Sequence, residues 1–270
     1  MCGILGLIRY GNQKIDLGLL RETFVSLSAR GTDASGFYFE RENTKRAIKA
    51  PVPADELWDN IHGKKSLPKE TEEQMKKYRL DGTEKLIIMH TRAKTRGTPQ
   101  NNYNNMPIHS ARYVLAHNGH IYSSRLDGYN YQAEVDSEEI LARVEKYGIH
   151  KGIKKCEGSM AILLKRLDSR NLYFGRRTNP LSLVWFFKEK MLIILSASQY
   201  VKFPEEYEKI NELVFGGNYS LTTPSENTLY KVSLDKIGSI EKVGDIEGTT
   251  SVSKYWKDKY GTSWHSTYGD

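Results

Sequence analysis

The chain has 270 residues, 39% of them hydrophobic, which is enough to bury a sizeable core in one large domain or in one domain with an appendage. No stretch approaches the roughly 20 apolar residues that a helix needs to span a bilayer, and two cysteines, Cys2 and Cys156, provide neither a disulfide framework nor a zinc-ligand spacing. The net charge of +7 arises from 40 basic residues interleaved with 33 acidic ones, so nucleic acid is not the expected partner.

The apolar opening Gly3-Ile4-Leu5-Gly6-Leu7-Ile8 has no basic stretch before it and Arg9 directly after it. It reads as a buried strand over 3–10, not as a secretion signal, and a cytoplasmic location is the expectation. Asp16 is placed to cap a helix with the apolar stripe Leu17, Leu20, Phe24 and Leu27. Gly36 to Phe39 reads as extended. The polar, lysine-rich segment 43–85, with Pro51, Pro53 and Pro68, is expected to hold loops and one short helix.

Leu86–Met89 and Tyr113–Ala116 read as strands. Ser137 opens a helix with Glu138 and Glu139 at its positive end, a stripe of Ile140, Leu141 and Val144, and Gly148 as its stop. Strands follow at Met160–Leu164, Leu172–Phe174, Leu183–Phe187, Met191–Leu195 and Tyr219–Leu221. This order implies an α+β arrangement of sheets layered with helices. The last twenty residues carry Tyr255, Trp256, Tyr260, Trp264 and Tyr268 without helical or strand periodicity. They read equally as a docking tail or as a strap on their own domain.

Cys2 is the residue that carries chemistry. Once the initiator methionine is removed, its own α-amine, with a reference pKa of about 7.7–8.0, can act as base for a thiol of about 8.5. Nucleophile and base then share one residue, and no histidine is required. His62, His109, His120, His150 and His265 show no metal-ligand spacing. Cys156 reads as a core thiol, and Arg176-Arg177 as a solvated turn, with a phosphate contact as the alternative.

Further segments stand in a fixed order behind Cys2-Gly3-Ile4. They are Arg30-Gly31-Thr32-Asp33-Ala34-Ser35-Gly36, His90-Thr91-Arg92 with Gly97, His117-Asn118-Gly119, Asp136-Ser137-Glu138, and Gly158-Ser159-Met160-Ala161. The set resembles the glutaminase domains of class II glutamine amidotransferases over residues 2–223. That resemblance implies the four-layered αββα sandwich of N-terminal-nucleophile hydrolases, with no cofactor and no metal. It implies that Cys2 attacks the side-chain amide of glutamine, and that Asn118 and the Gly119 N–H form the oxyanion hole. Arg92 would hold the substrate carboxylate and Asp136 its ammonium; Thr95 would contact the carboxylate and Arg30 would hold the loop around the N-terminus. Asn-Gly is also a turn signal and Asp136 is also a helix-cap candidate.

The pattern departs from the family in places. Ala93-Lys94-Thr95-Arg96-Gly97 follows Arg92 where Trp-Ala-Thr-His-Gly is frequent. Asn104-Asn105-Met106-Pro107-Ile108 stands where Asn-Ala-His-Pro-His is common, and Thr32 replaces a frequent proline. Residues 224–270 are expected to be a C-terminal extension, too short for a typical synthase domain. Ammonia is therefore expected to pass to a separate synthase subunit; a stand-alone γ-glutamyl amide hydrolase and a non-catalytic binding module are the alternatives.

Overall fold

The structure, a computed structural model, describes residues 1–63, 68–197 and 219–247. Its first strand, β1 (Gly3–Arg9), sets out the logic of the layers. Side chains on a strand alternate between faces. Leu5 and Leu7 accordingly pack on one side with the helices α1 (Leu17–Ser26) and α2 (Ala54–His62). Ile4 and Ile8 pack on the other side against a second sheet. Both faces are covered, so the strand is apolar throughout rather than alternating with polar residues.

The sheet containing β1 has seven strands in the order β11-β9-β10-β1-β4-β2-β3, and the second has six in the order β13-β12-β8-β7-β6-β5. In the first sheet these are β2 (Ala34–Glu40), β3 (Lys45–Ala50), β4 (Leu86–Arg92), β9 (Ser182–Phe186), β10 (Met191–Leu195) and β11 (Tyr219–Thr222). In the second they are β5 (Ile108–His109), β6 (Tyr113–Ile121), β7 (Gly158–Arg166), β8 (Asn171–Arg177), β12 (Thr228–Ser233) and β13 (Ile240–Asp245). All strand pairings between these elements are antiparallel.

Val114, Ala116, Ala161, Leu163 and Phe174 of the second sheet meet Ile4, Tyr38, Ile88 and Ile194 of the first. The outer face of the second sheet is closed by α4 (Glu138–Tyr147) and α5 (Ile149–Lys154) through Ile140, Leu141, Val144 and Ile153. The result is helix, sheet, sheet, helix, a four-layered αββα sandwich. A buried ion pair crosses between the sheets: Lys165 Nζ of β7 lies 3.2 Å from Glu40 Oε1 of β2, and both side chains are almost wholly excluded from solvent. The Tyr38 hydroxyl donates to the same carboxylate at 2.5 Å.

Several elements differ from the sequence expectation. The segment 43–85 holds a strand and two helices, α2 and α3 (Lys69–Lys76), instead of one helix among loops. α2 is specified by Leu57, Trp58 and Ile61, which share its buried face. β3 was hidden by its charges, Lys45, Arg46 and Lys49, which suit an exposed edge strand. β12 pairs with β8 along its whole length, so residues after 223 complete the second sheet rather than merely extend it. The aromatic tail at 251–270 lies outside the described residues. Arg177 is a correction. It is buried, not solvated, and donates Nη1 to the carbonyls of Cys156 and Gly158 at 2.6 and 3.1 Å.

Candidate active site

β1 lies between β10 and β4, and Gly3 pairs with Thr91. β2 lies on the other side of β4, with Ala34 opposite Arg92. The start of the chain, the end of β4 and the start of β2 therefore meet at one end of the first sheet. At that end Cys2 N–H donates to Asn118 Oδ1 of β6 at 2.9 Å, joining the two sheets.

With its amide oxygen committed, Asn118 has its nitrogen left over. Nδ2 is buried and has no hydrogen-bond partner among the described residues. A buried donor without an acceptor costs about 1–3 kcal/mol, so Nδ2 is available to an acceptor that enters beside Cys2. The neighbouring Gly119 has φ 150, and a Cβ there would sit 2.1 Å from the Ser159 carbonyl oxygen. No side chain fits, and the backbone at Gly119 is left open to close approach.

Cys2 is half-buried, and its Sγ lies 3.8 Å from Ala93 O. Burial pushes the thiol above its ordinary pKa; a backbone hydrogen bond at Ala93, the terminal charge, Arg92 and Arg30 pull it back. Arg30 donates Nε to Cys2 O at 2.9 Å and thus grips the Cys2–Gly3 peptide. Gly31 brings its backbone against the Arg92–Ala93 peptide, where a Cβ would lie 2.2 Å from Ala93 N.

Arg92 is buried and already engaged. Nη1 donates to Asn105 Oδ1 at 2.8 Å, while Nη2 donates to the carbonyls of Arg96 and Gly97 at 2.5 and 2.9 Å. Of the guanidinium's donors, one on Nε and one on Nη1 remain uncommitted among the described residues. Thr95 is exposed on the loop whose carbonyls hold Arg92, and its side chain makes no hydrogen bond among the described residues. Asp33, in a motif that attracted no role for it, accepts the Lys94 N–H at 2.7 Å and so ties the same loop to the start of β2.

Asp136 Oδ2 accepts the Ile121 N–H at 2.6 Å, so its carboxylate braces the end of β6 rather than capping α4. Ser137 occupies the cap position without a side-chain bond to the helix. Its hydroxyl is 2.8 Å from His117 Nδ1 instead. His90 Nε2 lies 3.2 Å from His117 O, which stacks a second buried histidine behind the site. Burial pushes His90 down to about 3 and His117 down to about 4, so both rings are neutral near pH 7. Among the described residues no group of three His, Cys, Asp or Glu is arranged to hold a metal ion, and no helix is long and apolar enough to cross a membrane.

No protein-family model matches the chain. In sequence it is 27% identical over 199 residues to the glutamine–fructose-6-phosphate aminotransferase (isomerizing) of Sulfurisphaera tokodaii, covering 67% of this chain and 31% of that protein. The enzyme of the same name from Sulfolobus acidocaldarius is 26% identical over the same extent. The chain thus spans about a third of the length of the curated relatives it matches. Among solved structures, the glutamine phosphoribosylpyrophosphate amidotransferase of B. subtilis superposes with a TM-score of 0.61 at 15% identity, over 91% of this chain and 49% of that one. An allosteric regulatory enzyme of purine biosynthesis gives a TM-score of 0.63 at 16% identity, with the same coverage. In sequence the chain is thus similar to part of two glutamine–fructose-6-phosphate aminotransferases, and in fold to two solved structures, one of them an amidotransferase.

Proposed function

We propose that the protein hydrolyses glutamine to glutamate and ammonia through a γ-glutamyl thioester on Cys2. The observation that carries this reading is the pairing of Cys2 N with Asn118 Oδ1 at 2.9 Å, which leaves Asn118 Nδ2 buried and unpartnered beside the thiol-bearing residue. Removal of Met1 frees the Cys2 amine to act as base. It takes the thiol proton as sulfur attacks the amide carbon, and Asn118 Nδ2 and the Gly119 N–H receive the developing oxyanion. Preorganised donors of this kind are worth about 10²–10³ in rate each. The amine then returns its proton to the departing nitrogen, which leaves as ammonia. Water, deprotonated by the same amine, cleaves the thioester to glutamate and restores the thiol.

Arg92 and Asp136 recognise the carboxylate and ammonium of the free amino acid. Arg92 can offer its two uncommitted donors directly, and both Nη2 donors as well if the 93–97 loop, with Thr95, moves its carbonyls aside. Ammonia is passed to a synthase that consumes it. The curated relatives bear names that describe nitrogen transfer from glutamine to fructose 6-phosphate; the acceptor for this chain is a further amination substrate of that general kind.

The test is glutamine hydrolysis by purified protein, together with intact mass after exposure to a glutamine-analogue electrophile. The expected result is ammonia release, a single adduct on Cys2 in a chain that begins at Cys2, and loss of both in Cys2→Ala. Full activity with Met1 retained, or ammonia release undiminished in Cys2→Ala, refutes the mechanism. Preference for another γ-glutamyl amide over glutamine in a competition assay would convert the reading to a stand-alone amide hydrolase.

A further inference from the structure

The turn after β8 holds a side chain that touches the site from behind. Asn179 Nδ2 donates to the backbone oxygen of Asn118 at 2.8 Å. That oxygen belongs to the same peptide unit as the Gly119 N–H. A trans peptide is planar and rigid, with its C=O and N–H pointing in opposite directions. Anchoring the oxygen therefore fixes the line along which the N–H is aimed. The peptide lies in the β6–β7 ladder, with Asn118 opposite Ala161 and Gly119 opposite Met160, and Asn179 adds a side-chain anchor next to a glycine at φ 150 that has no side chain of its own.

The residue before Asn179 shows that the turn is not relaxed. Thr178 has φ 63, in the left-handed region that a β-branched residue enters at a cost of about 1–3 kcal/mol. The described non-glycine residues with positive φ are Thr178, Lys190 and Asn227, and Thr178 alone among them is β-branched. Its conformation is held from outside the site. Thr178 N–H donates to Glu226 Oε1 at 2.8 Å, and Glu226 lies 3.6 Å from Arg176. Arg176 in turn donates to Pro224 O at 3.0 Å and to Asn179 O at 3.4 Å. A surface carboxylate, a strained threonine and a carboxamide thus form a chain of contacts that ends on the Asn118–Gly119 peptide.

We infer that Asn179 is a positioning residue of the reaction: through the Asn118 carbonyl it aims the Gly119 N–H at the oxyanion, and the strained Thr178 turn places its carboxamide for that task. The inference rests on the proposed glutaminase reading. It assigns Asn179 no contact with glutamine, so its removal should spare ground-state binding and weaken only what the transition state needs.

The experiment compares wild type with Asn179→Ala, and with Asn179→Ser should the alanine variant fail to fold. Four quantities are measured: kcat, KM for glutamine, the affinity for glutamate, and the inhibition constant of glutamate γ-semialdehyde. The Cys2 thiol adds to that aldehyde with transfer of its proton and no leaving group, and places a tetrahedral oxygen in the oxyanion position. Misaiming one donor is expected to lower kcat about 10- to 100-fold and to weaken the aldehyde in parallel. KM and glutamate affinity should stay within about twofold, the signature of an interaction made only in the transition state. An unchanged kcat in the variant, or equal losses in all four quantities, overturns the role of Asn179 while leaving the glutaminase reading intact. A wild-type protein that releases no ammonia from glutamine overturns both.

Discussion

Replacing Asn118 with Asp separates the two tasks proposed for that side chain. The substitution is nearly isosteric and keeps an oxygen facing Cys2 N, where the native contact is 2.9 Å. It exchanges the buried, unpartnered Nδ2 for a second acceptor and adds a negative charge. Loss of the donor alone should lower kcat by about 10²–10³ at every pH. The charge has a second effect, with a definite sign. A carboxylate in contact with the Cys2 ammonium favours its protonated form and raises its pKa by about 1–3 units above the ordinary α-amino value of about 7.7–8.0. The mechanism needs the free amine, so the acid-side limb of kcat against pH should move upward by the same about 1–3 units. Near pH 7 this takes a further about tenfold to thousandfold from the rate, because each unit is one decade. Asn118→Ala is the control. It loses the donor without adding a charge, so its kcat should fall while the limb stays close to that of the wild type. The assay is ammonia release at saturating glutamine over the range from about pH 6 to about pH 10. A fall in kcat with no movement of the limb in Asn118→Asp would show that the Cys2 nitrogen is not the base. An Asn118→Asp enzyme with wild-type kcat would remove Asn118 from the reaction altogether.

Two further predictions concern stability. His90 and His117 are held neutral by burial, at about 3 and about 4 against an ordinary 6.5. Between these values the unfolded chain binds protons that the folded chain does not, so stability is full above about pH 6.5 and falls as pH drops, by up to about 1.4 kcal/mol per pH unit for each ring. Urea unfolding of His90→Gln from pH 6.5 down to about pH 4.5 should show a shallower slope than wild type by about one proton; identical slopes count against it. Lys165→Met removes the buried cation that Glu40 meets at 3.2 Å and leaves that carboxylate the Tyr38 hydroxyl and Arg170 at 3.9 Å; it should cost up to about 3–5 kcal/mol in equilibrium unfolding. Adding Glu40→Leu should recover most of the loss, and a single variant as stable as wild type would show the pair to be unimportant.

What the sequence disclosed of the fold followed the reach of local pattern. β1, α1, β4 and the strands from β7 to β10 announce themselves because each is an apolar run or stripe bounded by polar residues. β3 and β13 do not, because edge strands that expose charged side chains can be written in lysine and glutamate, and β12 does not because Thr228, Lys231 and Ser233 interrupt its apolar residues. The same distinction governs the site. Cys2, Asn118 and Gly119 stand out in the sequence because the chemistry proposed for them restricts residue type, and the structure brings Cys2 N to 2.9 Å from Asn118 Oδ1. Asp33 and Asn179 act through one hydrogen bond each to a backbone atom, a task that many side chains could perform and that leaves no sequence signature. Asn179-Pro180 reads as an ordinary turn, and the left-handed Thr178 before it runs against the preference of its residue type. A position where local preference is overruled and the resulting side chain lands on the peptide beside the proposed nucleophile cannot be found by reading propensities, because the propensity points the other way. It becomes visible only when the carbonyl that the side chain reaches is seen to share its peptide with a donor that the proposed reaction would use.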